Sequence, residues 1–160
     1  MSGAALVTGG GGRRVGIALM GCLVALTTFL LASPLPRGLD GATFCLPFVG
    51  PVTRIDLALP PDAQRLVKAH EMGHAASCRR RGAIGEYFSR LTVRGRLDAE
   101  VQAYCSQGRF EVRAGGVPRL VWASVLDQLE EGHRGLRELG RPLIANRLVS
   151  GCHDAAVLSR

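Results

Sequence analysis

An uninterrupted apolar run near the N-terminus decides how much of this chain can fold in water. Val15 to Ala32 (VGIALMGCLVALTTFLLA) is 18 residues without a charge. As a helix it would span roughly 27 Å, close to the thickness of a bilayer's hydrocarbon core. Residues 34–160 are left for a folded domain, enough for one small core. Arg13 and Arg14 precede the run, whereas the flank after it sets Arg37 against Asp40. The positive-inside rule therefore puts residues 1–14 in the cytoplasm and the C-terminal domain outside it. The reading is a single-pass signal anchor over 15–32. The alternative is a cleaved signal peptide that leaves a secreted domain, although Leu30 and Ala32 make a poor cleavage site with Pro34 close behind.

Cysteine usage agrees with export. Cys22 lies in the apolar run, and Cys45, Cys78, Cys105 and Cys152 form an even set suited to an oxidising compartment. Four cysteines allow three pairings, and spacing does not choose among them. No C-x-x-C pair exists, which excludes a zinc ribbon and a thioredoxin-like redox site. The net charge of +7 comes almost entirely from arginine. These arginines are spread along the chain. The one cluster, Arg79-Arg80-Arg81, is short, and no basic stretch is interleaved with aromatics, so nucleic acid is not an expected partner.

Four prolines and three glycines crowd residues 33–51, which read as a linker and irregular entry to a domain over 52–160. Val52–Leu59 alternates partly and is the best strand candidate. Asp62 is a suitable N-cap for a helix over about 63–80, which Gly82 and Gly85 should break. Residues 87–93 read as strand or irregular. Asp98 is placed to cap a helix over about 99–110. Pro118 and the spacing of Leu120, Val121, Val125, Leu129 and Leu136 predict a helix to about Leu139. Pro142 opens a last helix that Gly151 stops. The expected class is mainly α with a small β element (α+β).

His70-Glu71-Met72-Gly73-His74 carries the chemistry. On a helix, residues i and i+4 face the same way, so both imidazoles can reach one metal ion. Zinc takes neutral imidazole nitrogens and leaves room for a water, whose pKa it lowers toward about 7. Glu71 would sit beside the metal rather than on it, where it can act as general base. Leu66, Val67, Ala69, Met72, Ala75 and Ala76 make the surrounding segment apolar, as a core helix would be and a solvated one would not. The third ligand is expected from Glu100, near the start of the next helix. Glu86 and Asp98 are the competing carboxylates. Cys78 lies too far along the helix to share the ion. His133 and His153 are isolated in sequence and read as ordinary helix-end or surface residues.

These residues resemble the gluzincins, the thermolysin-like zinc peptidases, and among them the minimal versions of that fold. The match runs from about Leu66 to Tyr104: His70, Glu71 and His74 on one helix, then Glu100 in an E-x-x-A setting. The resemblance implies Zn²⁺ held by His70, His74 and Glu100, peptide-bond hydrolysis, and a peptide or protein substrate paired with a sheet edge, for which Val52–Leu59 is the natural choice. It also implies a Tyr or His that stabilises the developing oxyanion. Tyr104 is preferred over Tyr87 and His133, being one turn beyond Glu100. The sequence is thus read as a membrane-anchored extracytoplasmic zinc metallopeptidase. A catalytically inactive zinc-binding domain of the cell envelope is the alternative.

Overall fold

The computed structural model describes residues 20–22, 24–29, 32–113, 122–133 and 135–152. The chain divides into two compact units, Met1–Pro34 and Leu35–Arg160. In the first, the described residues 20–22 and 24–29 are helical. Much of the expected anchor, 15–32, lies outside the described residues. Among those that are described, no helix is long and apolar enough to cross a membrane.

The second unit is mainly helical with one small sheet. Strands β1 (Gly41–Leu46) and β2 (Gly50–Ile55) form an antiparallel hairpin whose register pairs Gly41 with Ile55 and Leu46 with Gly50. β1 lies inside the stretch 33–51 that reads as irregular, and β2 ends at Ile55 rather than Leu59. The Pro and Gly that argue against a strand sit at its ends and in the turn, and Phe48 and Gly50 take positive φ there. The Thr43 hydroxyl donates to the Glu71 carbonyl at 3.2 Å and lies 3.0 Å from the Thr53 hydroxyl. Since Thr43 has one proton to give, Thr53 donates to it. That chain ties the hairpin to the helix below.

Helix α1 runs Pro61–Leu91, much further than the expected 63–80. Gly82, at φ 69, ψ 169, is a true break, and a second helical segment follows it. Gly85 does not break that segment, and residues 87–91 are helical rather than strand. Asp62 is not the cap: the helix opens at Pro61, and Asp62 stands in its first turn, where its charge suits the helix dipole. Helix α2 runs Val93–Arg113, six residues earlier than Asp98 suggested. Its opening is held by Thr92, whose hydroxyl accepts from the Gly95 N–H at 3.0 Å. Asp98 is inside the helix and accepts from Arg147 at 2.6 Å.

Helix α3 (Trp122–Gly132) ends well short of Leu139, and a 3₁₀ turn, Arg137–Leu139, follows. Gly115, Gly116 and Pro118 lie outside the described residues. Helix α4 (Arg141–Gly151) opens with Pro142 and ends at Gly151 as expected. One face of α2 packs Leu97, Val101, Tyr104 and Cys105 against Val125 and Leu129 of α3, Leu136, and Ile144 and Leu148 of α4. The cysteines pair Cys45–Cys78 and Cys105–Cys152. The first bridge staples β1 to α1, and the second staples α2 to the end of α4.

The other face of α2 meets α1 at unusually close range. A Cβ on Gly73 would stand 2.6 Å from the Ala103 Cα and 3.0 Å from the Gln102 carbonyl oxygen. Backbone atoms cannot yield as a flexible side chain can. Gly73→Ala is therefore expected to destabilise the domain by about 1–3 kcal/mol. Gly132→Ala, with nothing within 4 Å of the new methyl, should stay within about 1 kcal/mol of wild type. Thermal unfolding of the two variants side by side measures the difference. Equal midpoints would mean that the helices do not approach this closely.

Candidate metal centre

Two imidazoles and a carboxylate converge where α1 meets α2. His70, Glu71 and His74 each offer a ligand atom, and these atoms lie within 4.8 Å of one another. Glu100, reached from α2, places one carboxylate oxygen 3.5 Å from the His70 Nε2 and the other 3.5 Å from the His74 Nε2. All four belong to the interior: Glu71, His74 and Glu100 are buried, and His70 is nearly so. Burial alone would push the Glu100 carboxyl up. Hydrogen bonding to His70 and His74, with the charge of His74 and His133, outweighs it and holds the carboxyl well below the usual carboxylate range.

The donor set fits a divalent ion. Vertices of a tetrahedron with arms of about 2.0–2.1 Å stand roughly 3.3–3.4 Å apart, so Glu100 already sits at ligand spacing from both imidazoles. Beside it, Glu71 Oε2 is buried without a hydrogen-bond partner. A buried carboxylate oxygen left unsatisfied is costly, and it marks a place where a polar or cationic group belongs.

The competing ligands fall away by position. Glu86 is buried, but its two oxygens are engaged by Ser77 and by Arg90, each at 2.8 Å. Asp98 is held by Arg147, and Cys78 is in a disulfide. His153 lies outside the described residues. His133 is not isolated. It stands in the cleft with Nε2 3.6 Å from Glu100 Oε2, its side chain one-third exposed. No local pattern could have revealed that contact, because it joins the end of α3 to the interior of α2.

Tyr104 also lines the site. Its ring packs edge-on against His70 at 4.6 Å between centroids, and its hydroxyl donates to Gln128 at 2.9 Å. Burial, and then the Glu100 charge, push its pKa up to about 12. Arg90, which sequence reasoning missed, approaches the His74 Nδ1 at 3.1 Å. A guanidinium only donates, so this contact puts the proton of neutral His74 on Nε2. A ligand at Nε2 requires that proton to move to Nδ1 and Arg90 to give way.

Above these residues lies a cleft of about 490 Å³. Its floor is the α1 face that carries His70, Glu71 and His74; β1 residues Gly41–Thr43 form one wall, and Gln128 and His133 stand in the other. The strand at the cleft is therefore β1, not the expected Val52–Leu59. Its far edge carries no partner strand among the described residues. Gly41 lets β1 sit directly on the site: a Cβ there would come within 2.5 Å of Val67 and 3.2 Å of Glu71 Oε1. Comparison with protein-family models, curated proteins and solved structures finds no match.

Glu86 supplies a pH signature. Burial pushes its carboxyl up, but hydrogen bonds from Arg90 and Ser77 and the charges of Arg90 and Arg81 outweigh this and hold it low. A carboxyl depressed on folding contributes stability above its unfolded pKa and loses it as pH falls through the folded one. Glu86→Gln should therefore cost about 1.5–3 kcal/mol at neutral pH. The gap to wild type should close below about pH 4. Denaturant titrations at pH 7 and pH 3 measure it, and a gap of equal size at both would refute the ion pair.

Proposed function

We propose that the domain is a zinc metallopeptidase, anchored through residues 15–32 and working outside the cytoplasm on a peptide or protein substrate. The observation that carries this reading is the placement of Glu100 at 3.5 Å from both His70 and His74, with the buried, unpartnered Glu71 Oε2 beside them. His70, His74 and Glu100 would hold the ion. Bound there, zinc supplies Lewis acidity and an acidified water. Glu71 takes a proton as general base and returns it to the leaving amine. The open edge of β1 supplies backbone hydrogen bonds to an extended substrate strand and lays it along the cleft. The two disulfides support an oxidising compartment.

For the oxyanion the geometry favours His133 over Tyr104. The Tyr104 proton is committed to Gln128, whereas His133 is partly open to the cleft. His133→Ala should lower kcat by roughly 10²-fold with zinc retained, and Tyr104→Phe by less than about 10-fold. The reverse order would return the role to Tyr104.

The founding test is metal content of the full chain in detergent. Wild type and Glu71→Gln should carry one zinc per chain, while His74→Ala and Glu100→Ala should lose it. Glu71→Gln should also lose hydrolysis of unfolded protein by about 10²–10⁴-fold. A folded, zinc-free wild type would overturn the site, and a Glu71→Gln variant that cleaves at the wild-type rate would overturn the mechanism. Zinc bound with no cleavage of any peptide would leave the inactive zinc-binding domain.

A further inference from the structure

The second segment of α1, after the Gly82 break, is amphipathic with its faces reversed. Its inner face is polar: Glu86 is 3% exposed and bonded to Ser77 and Arg90, and Arg90 reaches His74. Its outer face is apolar. Ile84, Tyr87, Phe88 and Leu91 are 71%, 65%, 62% and 56% exposed. Their spacing, i, i+3, i+4 and i+7, puts them in one stripe. The Tyr87 and Phe88 rings meet edge-on with centroids 5.7 Å apart. Rotating the helix to bury the stripe would expose Glu86 and withdraw Arg90 from His74. The polar contacts thus fix the rotation and leave a contiguous apolar surface in water, which marks an interaction face.

The surrounding charge names the occupant. Residues 79–94 hold five arginines and one glutamate. The glutamate is buried and paired with Arg90, and Arg79, Arg80, Arg81 and Arg94 are exposed. The fully exposed charge on this segment is therefore entirely positive. An apolar stripe with two aromatic rings, one carrying a hydroxyl, flanked by arginines, has the make-up of a helix that lies in a membrane interface. We propose that Ala83–Leu91 seats the domain on an anionic lipid surface, with Ile84, Tyr87, Phe88 and Leu91 at the headgroup–acyl boundary and the arginines on lipid phosphates. This is also the surface to which the run 15–32 would tether the domain, but the proposal does not need zinc or peptidase activity.

The test is fluorescence of the full chain in vesicles of phosphatidylcholine and phosphatidylglycerol whose acyl chains carry bromine. Trp122, the sole tryptophan, is changed to Phe, and one indole is introduced by Phe88→Trp, by Tyr87→Trp, or by Leu57→Trp as a control outside the stripe. Leu57 is 82% exposed. Bromine should quench the Phe88→Trp and Tyr87→Trp emission at least about two-fold more than the control. The excess should shrink when Arg79, Arg80 and Arg81 are changed to Gln. Quenching no greater than that of Leu57→Trp would overturn the proposal. So would blue-shifted, unquenched emission that rises with protein density in the vesicle, which would assign the face to a second copy.

Discussion

At Gly73 the backbones of α1 and α2 come too near to admit a Cβ, and the candidate centre depends on that approach. A methyl at Gly73 would press on Ala103, three residues beyond Glu100. Pushing the helices apart there would draw the Glu100 carboxylate away from the histidines it faces. The small residue inside the H-E-x-x-H segment is thus structural in a direct sense: it sets the spacing between two imidazoles on one helix and a carboxylate on the next. The opposite face of α2 carries the apolar core with α3 and α4. That core holds α2 from behind and keeps Glu100, Tyr104 and the Gln128–His133 wall in register with α1.

Legibility followed the range of the interactions. His70, Glu71 and His74 were readable because helical geometry alone puts i and i+4 on one side. Pro142 and Gly151 were readable because their constraints are local. Glu100 was reachable because its helix follows directly and its rivals, Glu86 and Asp98, were few. Elements decided by tertiary contact were misread. Gly- and Pro-bearing residues 41–51 form a hairpin because Thr43 and the Cys45–Cys78 bridge tie β1 to α1. Residues 87–91 are helical although aromatic and β-like in composition, since one helical turn brings Arg90 onto the buried Glu86. Arg90, Gln128 and His133 carry no motif. Only the packed fold brings them to the cleft.

Two features that look like faults share one origin. Arg90 meets His74 at the nitrogen a metal-bound imidazole would need to protonate, and the helix that carries Arg90 exposes four large apolar side chains. Both follow from a polar cluster, Ser77–Glu86–Arg90, that occupies the inner face of this segment. Burying Ile84, Tyr87, Phe88 and Leu91 would gain roughly 1.5–3 kcal/mol each if fully enclosed. Leaving Glu86 buried without Arg90 would cost several kcal/mol outright. The segment therefore turns its charges inward.

That choice couples the two ends of Arg90. Its Nε is anchored to Glu86, while its terminal nitrogen is at His74 and its side chain is partly open to solvent. The two contacts use different nitrogens, so an ion arriving at Nε2 competes with the contact at His74 and not directly with the buried pair. The Glu86 carboxylate stays neutralised throughout. Whatever covers the apolar stripe would hold the same helix in place and so limit how far Arg90 can retreat. The apolar outer face and the polar inner face that reaches His74 are thus carried by a single nine-residue helical segment, and neither can be understood with the other left out.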